Sequence, residues 1–262
     1  MQHEAGEPLV LRPMRPGSGD DPPRMYQVQI VRLRHRLRPD APLEDTWRLL
    51  GTTGVPHEKR ALWEANDLRL GEGGRLAAQR LQELIRETPD RTARFNRLVI
   101  PENTDFVIES GGTRTGLDVL WTDAEGRLAG RHFDRASPRF RLVCRPPPDD
   151  PQAVCIALVP EIAYGDPRFR YERTETGFTR RMAPETFTVR DLAAEMRLAP
   201  GRMLVLGARR SSDVSLGGAF CFERRGPDLW KQTLLVSARP LPPGTAPEPD
   251  ETKAPDAAEP RP

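Results

Sequence analysis

Residues 153–165 read AVCIALVPEIAYG, an apolar run of strand length that closes on Pro160–Glu161–Ile162. It predicts a strand over 153–162 and is the strongest such signal in the chain. The rhythm around it is the same. From Arg91 onward apolar residues recur at every second position, predicting further strands at 95–100, 104–109, 117–121, 127–133, 139–145, 178–182, 185–189, 203–206, 219–223 and 229–238. Turn signals separate them: Gly111–Gly112, Asp123–Gly126, Pro146–Pro151, Gly165–Pro167, Pro200–Gly201 and Arg225–Pro227. Residues 192–198 fit either one helical turn or a bent strand. Short strands at this spacing predict an antiparallel sandwich or an open barrel.

Upstream of Arg91 the period is mixed. YQVQIVRLRH at 26–35 alternates as a half-buried strand, and Arg32, Arg34, Arg36 and Arg38 continue on one face, expected to be solvated. Leu43, Trp47 and Leu50 stand at helical spacing in LEDTWRLL. Pro56 opens a second helix with Ala61, Leu62 and Ala65 as its apolar positions and Trp63 alongside; Asn66 is its expected left-handed cap. A short strand over 68–70 precedes a glycine turn at Gly71, Gly73 and Gly74. RLAAQRLQELIRE at 75–87 is the clearest helix, with an apolar stripe of Leu76, Ala77, Leu81, Leu84 and Ile85.

The organisation expected is therefore α+β: a small α/β module over 25–90, then a mostly antiparallel, sandwich-like β domain over 91–239. The tails, 1–24 and 240–262, are rich in proline and poor in large apolar side chains, and are expected to be disordered. Both are net acidic, so the middle is somewhat more basic than the whole chain, whose formal charge is +2. That is mild beside the bias of a dedicated nucleic-acid binder. Only three lysines occur, so nearly every cation is an arginine, as a GC-rich genome would also produce.

Three cysteines, Cys144, Cys155 and Cys221, lie in apolar strand-like runs and read as small buried hydrophobes. Cys144 and Cys155 flank a proline-rich turn, which leaves a disulfide between them open if the geometry and compartment allow it. No apolar run reaches the roughly 20 residues of a membrane-spanning helix. The opening residues, MQHEAGEPLVLRPMRPGSG, lack a basic head followed by an apolar stretch. A cytoplasmic product is expected from this start, and a periplasmic or envelope-associated one from a start further upstream.

Two stretches resemble the core domain of bacterial secretins. One is AVCIALVPEIAYG itself. The other is FTVRDLAAEMRLAPGRMLVLG at 187–207, followed by LWKQTLLVSA at 229–238. Pro160, Glu161, Gly201, Leu204–Gly207 and Leu234–Ser237 stand in the secretin order of Pro-Glu strand end, turn, LVLGG-like strand and closing apolar strand. Trp47, Leu62, NDLRLG at 66–71 and Pro160–Gly165 also resemble uncharacterised planctomycete proteins with a secretin-like β region. The resemblance implies a soluble secretin-like domain without a pore, because the loops are short and the aromatic content is only 6%.

The catalytic patterns fail one by one. GEGG at 71–74 precedes a helix but lacks the phosphate-loop Lys and the third dinucleotide-fold glycine, and reads as a plain turn. His3, His35, His57 and His132 offer no metal-ligand spacing. Ser211, Ser212 and Ser215 lack a nucleophile elbow. Glu161 stands between apolar residues at a strand end. It is either a carboxyl bonded to Arg or to loop amides, holding strands together, or a buried acid or base.

The sequence thus points to a non-enzymatic interaction or assembly protein, with a protein partner or self-association. It names no catalytic residue, cofactor, metal or small-molecule substrate. Glu161, Arg32, Arg34, Arg36 and Trp47 are the residues singled out for an interaction or structural role. The alternatives are a hydrolase-type enzyme using Glu161, or weak nucleic-acid binding through the Arg32–Arg38 face.

Overall fold

A computed structural model describes residues 23–37, 47–48, 50–51, 55–87, 91–174 and 177–242. Of the predicted helix over 43–50 only residues 47, 48 and 50 are among these, and Arg38 and nearly all of both tails lie outside them. The fold is mostly antiparallel β, in two sheets.

The first sheet has the order β2 (Leu68–Gly73), β10 (Met203–Ala208), β12 (Asp228–Pro240), β1 (Met25–Arg36), β3 (Arg91–Pro101), with β11 (Phe222–Arg225) added to β12. The second has the order β4 (Asp105–Glu109), β6 (Leu128–Arg145), β7 (Val154–Thr174), β8 (Gly177–Thr188), with β5 (Arg114–Thr122) on β6 and β9 (Ala194–Leu198) on β7. Alternate residues of both sheets meet in one core: Tyr26, Val28, Leu204, Leu206, Leu234 and Val236 from the first, Phe133, Phe140, Leu142, Ile156, Leu158 and Met196 from the second. This is the period-2 pattern turned into a sandwich.

A second, smaller cluster lies on the other face of the first sheet. There Met203, Val205, Leu235 and Leu33 pack with Ala77 and Leu81 of helix α2 (Arg75–Glu87). Strands β10 and β12 are consequently buried on both faces, which is why MLVLG and TLLVS read as continuous apolar runs. Leu76, expected on the buried stripe, is 80% exposed instead.

The division expected at residue 90 does not part the sheets. Strand β1 runs between β3 and β12, pairing Tyr26 with both Ile100 and Pro240, while β2 pairs with β10. Residues from either side of that point share both the first sheet and its core.

Other local expectations are corrected by packing. GEG at 71–73 is not a turn: β2 continues through Gly73, opposite Met203, Leu204 and Val205. A Cβ on Gly73 would come within 2.7 Å of Met203 Cε, so a larger residue there would have to shift that side chain. Helix α1 (His57–Ala65) buries Trp63 fully and Leu62 in part, with Ala61 and Ala65 exposed. Its left-handed residue is Asp67, at φ 58°, not Asn66, at φ −97°. Asn66 is buried and accepts from the Thr122 N–H at 2.8 Å while donating to the Thr122 carbonyl at 3.0 Å. Its side chain thereby extends β5 by one rung.

The strand expected over 219–223 is split. Leu216–Cys221 forms a short helix, α3, capped by Ser215, whose Oγ accepts from Gly218 N at 3.1 Å, and β11 begins only at Phe222. Residues 192–198 form a 3-10 turn over Arg190–Leu192 and then β9. The predicted turn at Gly165–Pro167 is a bulge within β7, and 127–133 and 139–145 merge into the single strand β6.

Candidate interaction site

The three longest neighbours of the second sheet, β6, β7 and β8, are held together at mid-length by Glu161. On β6, Phe140, Leu142 and Cys144 point into the core, so Arg139 and Arg141 lie on the outer face. Glu161 stands on β7 directly opposite Arg139 and, on its other side, Thr188 of β8. Its carboxylate accepts from Arg139 Nε at 3.3 Å, from Arg141 and from Thr188 Oγ1 at 3.2 Å. Although on an outer face, Glu161 is 1% exposed. Both oxygens are occupied, so the residue works as a clamp across three strands.

Next along the same strands comes an aromatic and charged layer. Tyr164 Oη donates to Glu185 Oε2 at 2.7 Å and accepts from Arg131 at 3.0 Å. The Arg131 guanidinium lies over the rings of Phe133, Tyr164 and Phe187, at 5.0, 4.9 and 5.5 Å from their centroids. Cation–π contacts of this kind are each worth about 0.5–1 kcal/mol at exposed sites.

Beyond a bulge between Tyr164 and Arg168, β7 and β8 continue as a two-stranded hairpin. Phe169 pairs with Met182 and Tyr171 with Arg180; on β8, Phe178, Arg180 and Met182 occupy alternate positions on one face. Phe169, Tyr171, Phe178 and Met182 are 56%, 70%, 73% and 57% exposed. The Arg180 guanidinium carbon sits 3.5 Å from the Phe169 ring centroid. Four large apolar side chains gathered on one projecting ribbon are what a docking surface looks like. The sequence showed strands here without distinguishing these rings from core residues, since alternation marks a face and not what covers it.

The residues singled out from sequence are not brought together. Arg32 donates to the Glu109 carbonyl, Arg34 Nε donates to Gln232 Oε1 at 2.9 Å and pairs with Glu223 at 3.5 Å, and Arg36 pairs with Asp228. Burial lowers the pKa of Arg32, with Arg34 adding to the effect. The solvated face is corrected at Arg32 and Arg34, which are half-buried beside β4 and β11, while Arg36 is exposed as expected. Trp47 lies over Gly207, where a Cβ would come within 2.6 Å of its ring, with the Arg69 guanidinium 5.4 Å from its centroid.

The cysteines are free. Cys144 is opposite Ile156 and Cys155 opposite Arg145, so the two thiols fall on opposite faces of the sheet and do not pair. Among the described residues no three His, Cys, Asp or Glu side chains are grouped to hold a metal ion. His132 stands between Asp118, 2.8 Å from Nδ1, and Asp134, 3.2 Å from Nε2, on the exposed surface of β5 and β6. Hydrogen bonding to Asp118, then to Asp134, raises its pKa. No helix among the described residues is long and apolar enough to cross a membrane, which leaves strands out of account.

No protein-family model and no curated protein matches the chain. Among solved structures it is similar to the type IV competence pilus secretin PilQ of V. cholerae, at 13% identity and a TM-score of 0.24, over 84% of this chain and 61% of that one. It is similar also to the InvG secretin domain β-barrel of the Salmonella SPI-1 injectisome, at 11% identity and a TM-score of 0.24, over 86% of this chain and 64% of that one. The chain spans less than two thirds of either structure's length. Both are secretins, the family whose text the strand ends resemble, but a TM-score of 0.24 carries neither fold nor function across. The planctomycete group finds no support.

Proposed function

We propose that the chain is a non-enzymatic assembly protein that associates with further copies of itself through the β7–β8 hairpin. The observation that carries this reading is the exposed face of Phe169, Tyr171, Phe178 and Met182. The face is chemically self-complementary. It holds aromatic rings and a guanidinium together, and already forms a cation–π pair between Arg180 and Phe169 within one chain. Two copies packed face to face can exchange the same contact in an isologous interface. The Glu161 clamp and the Arg131 layer hold the ribbon rigid, which lowers the ordering cost of docking.

The rival readings are weaker on the same geometry. A catalytic Glu161 would need an oxygen free for substrate, and both already accept hydrogen bonds. Phosphate binding through Arg34 and Arg36 would have to displace Glu223 and Asp228.

Light scattering coupled to size exclusion tests the proposal. The native protein is expected to form oligomers whose mass rises with concentration. The combined substitution Phe169→Ser, Tyr171→Ser, Phe178→Ser and Met182→Ser is expected to yield a monomer with an unchanged circular dichroism spectrum. A native protein that stays monomeric at tens of micromolar sinks the reading.

A further inference from the structure

The first sheet carries a second unused surface, along its β3 edge. Strand β3 spans Arg91–Pro101 and is hydrogen-bonded along one edge to β1, in a register that runs from Met25↔Pro101 to His35↔Arg91 without a shift. Among the described residues nothing pairs with its other edge. An open edge is a row of unpaired backbone donors and acceptors, and proteins usually blunt one with a bulge, a proline, a short strand or charge. Here the strand is long and regular, and its proline comes last. Residues 94–98 are all exposed, on both faces, and include Phe95 at 65%.

Charge is the device that remains, and it has one sign. Strand β3 contains no acidic residue. Arg94 lies on the face shared with Arg32, its direct partner on β1, and Arg97 lies on the other. Beside Arg97, a groove of about 730 Å³ runs over the first sheet next to α2. Its floor includes Gln27, Gln29 and Phe95, and among the described residues every ionised side chain lining it is an arginine: Arg97, Arg202 and Arg239. Arg202 is offset by Glu72 at 3.5 Å and Arg239 is held by Gln27 at 2.7 Å, whereas among the described residues no acid pairs with Arg94 or Arg97.

We propose that the β3 edge takes an extended acidic peptide segment of another protein as an added antiparallel or parallel strand, with the arginine-lined groove flanking it on one face. The backbone ladder supplies affinity and the one-signed edge supplies selection. Acidic side chains on alternate faces of the incoming strand would meet Arg94 on one side and Arg97 on the other. A second copy of this chain fits worse. Pairing β3 with β3 places Arg94 and Arg97 of both copies along one seam with no counter-charge on either strand. A nucleic acid would use the cations but not the ladder. The surface lies on the first sheet, away from the β7–β8 hairpin, so it stands or falls independently of self-assembly.

The test uses the full chain and a fluorescent Val-rich peptide with Glu at every third position, so that successive Glu side chains fall on opposite faces of the strand. Micromolar binding is expected. It should weaken about tenfold or more in Arg97→Glu, and slow hydrogen exchange at every second amide of β3. A peptide of the same charge interrupted by prolines should not bind, since it cannot complete the ladder. Several results overturn the proposal: no binding of the Glu–Val peptide, equal binding of the proline-interrupted peptide, or an oligonucleotide of equal charge binding as well and competing for the site. So does a concentration-dependent dimer broken by Arg97→Glu, which would assign the edge to a second copy. Peptide binding that appears only after Glu248→Gln, Asp250→Asn and Glu251→Gln together would assign the groove to the protein's own acidic terminus, and overturns it equally.

Discussion

Arg139 and Glu161 stand directly opposite each other on neighbouring strands, Nε to Oε2 3.3 Å, on what is formally the outer face of a sheet. Their side-chain exposures are 22% and 1%, so the carboxylate is buried by its own partners. Truncating Glu161 to Ala leaves Arg139 and Arg141 facing each other without the anion that joins them. Because both arginines reach solvent, the cost is below that of a fully buried pair, about 2–3 kcal/mol. Urea unfolding should show a lowered midpoint with an unchanged slope. A shift too small to measure would mean that the clamp contributes nothing net.

Trp63 links the first helix to the core. Its indole N–H donates to the Leu192 carbonyl at 2.9 Å, and its ring stacks on Phe140 with centroids 6.2 Å apart. Trp63→Phe keeps most of the apolar contact and loses one hydrogen bond, for a loss of about 1–2 kcal/mol. Trp63→Ala opens a cavity and should cost about 3–5 kcal/mol. Thermal melts of the two variants should keep that order; equal melting temperatures would contradict it.

Gly218 tolerates no side chain, since a Cβ there would fall 1.5 Å from the Ser212 carbonyl oxygen. Gly218→Ala must therefore displace the 212–215 turn or α3 itself. A loss on the order of 2–4 kcal/mol is expected, against about 1 kcal/mol for removing the Ser215 cap by Ser215→Ala. A Gly218→Ala protein as stable as the native one would contradict the close approach of α3 to the Ser212 carbonyl.

His132 titrates above the ordinary histidine range because Asp118, and secondarily Asp134, stabilise its protonated form. A raised folded-state pKa adds stability that is fully present below the unfolded value, about 6.5, and lost as pH rises through the folded value. The ring is fully exposed, so the contribution is screened. Proton NMR should show the His132 midpoint falling in Asp118→Asn and further in the Asp118→Asn, Asp134→Asn double variant. A midpoint unmoved by either change would remove the two carboxylates as its cause.

Thiol chemistry separates the three cysteines. Burial pushes the Cys144 and Cys221 thiols up to about 12, whereas Cys155 is only partly buried. Native protein treated with a thiol reagent at pH 8 should label at Cys155 alone, and all three should label after denaturation. Rapid native labelling of Cys144 would contradict its place in the core.

Periodicity along the chain was enough to reveal strands from Arg91 onward, the helix over 75–87 and the apolar runs that became β10 and β12. Each of these is a local property: alternation reports which side chains share a face, and only neighbours in sequence are needed to read it. Tertiary structure alone decided the rest. That β1 lies between β3 and β12, that GEG at 71–73 is strand, and that 216–221 coils into a helix all depend on residues far away in sequence, such as Met203 against Gly73 and Asp67 against Gly217. The same limit applies to the surfaces. Phe133 and Phe169 both sit in alternating segments, but the Phe133 ring is covered by Tyr164, Phe187 and Arg131 whereas that of Phe169 is 56% exposed. Burial is a property of what packs on a face, and the face does not carry that information itself.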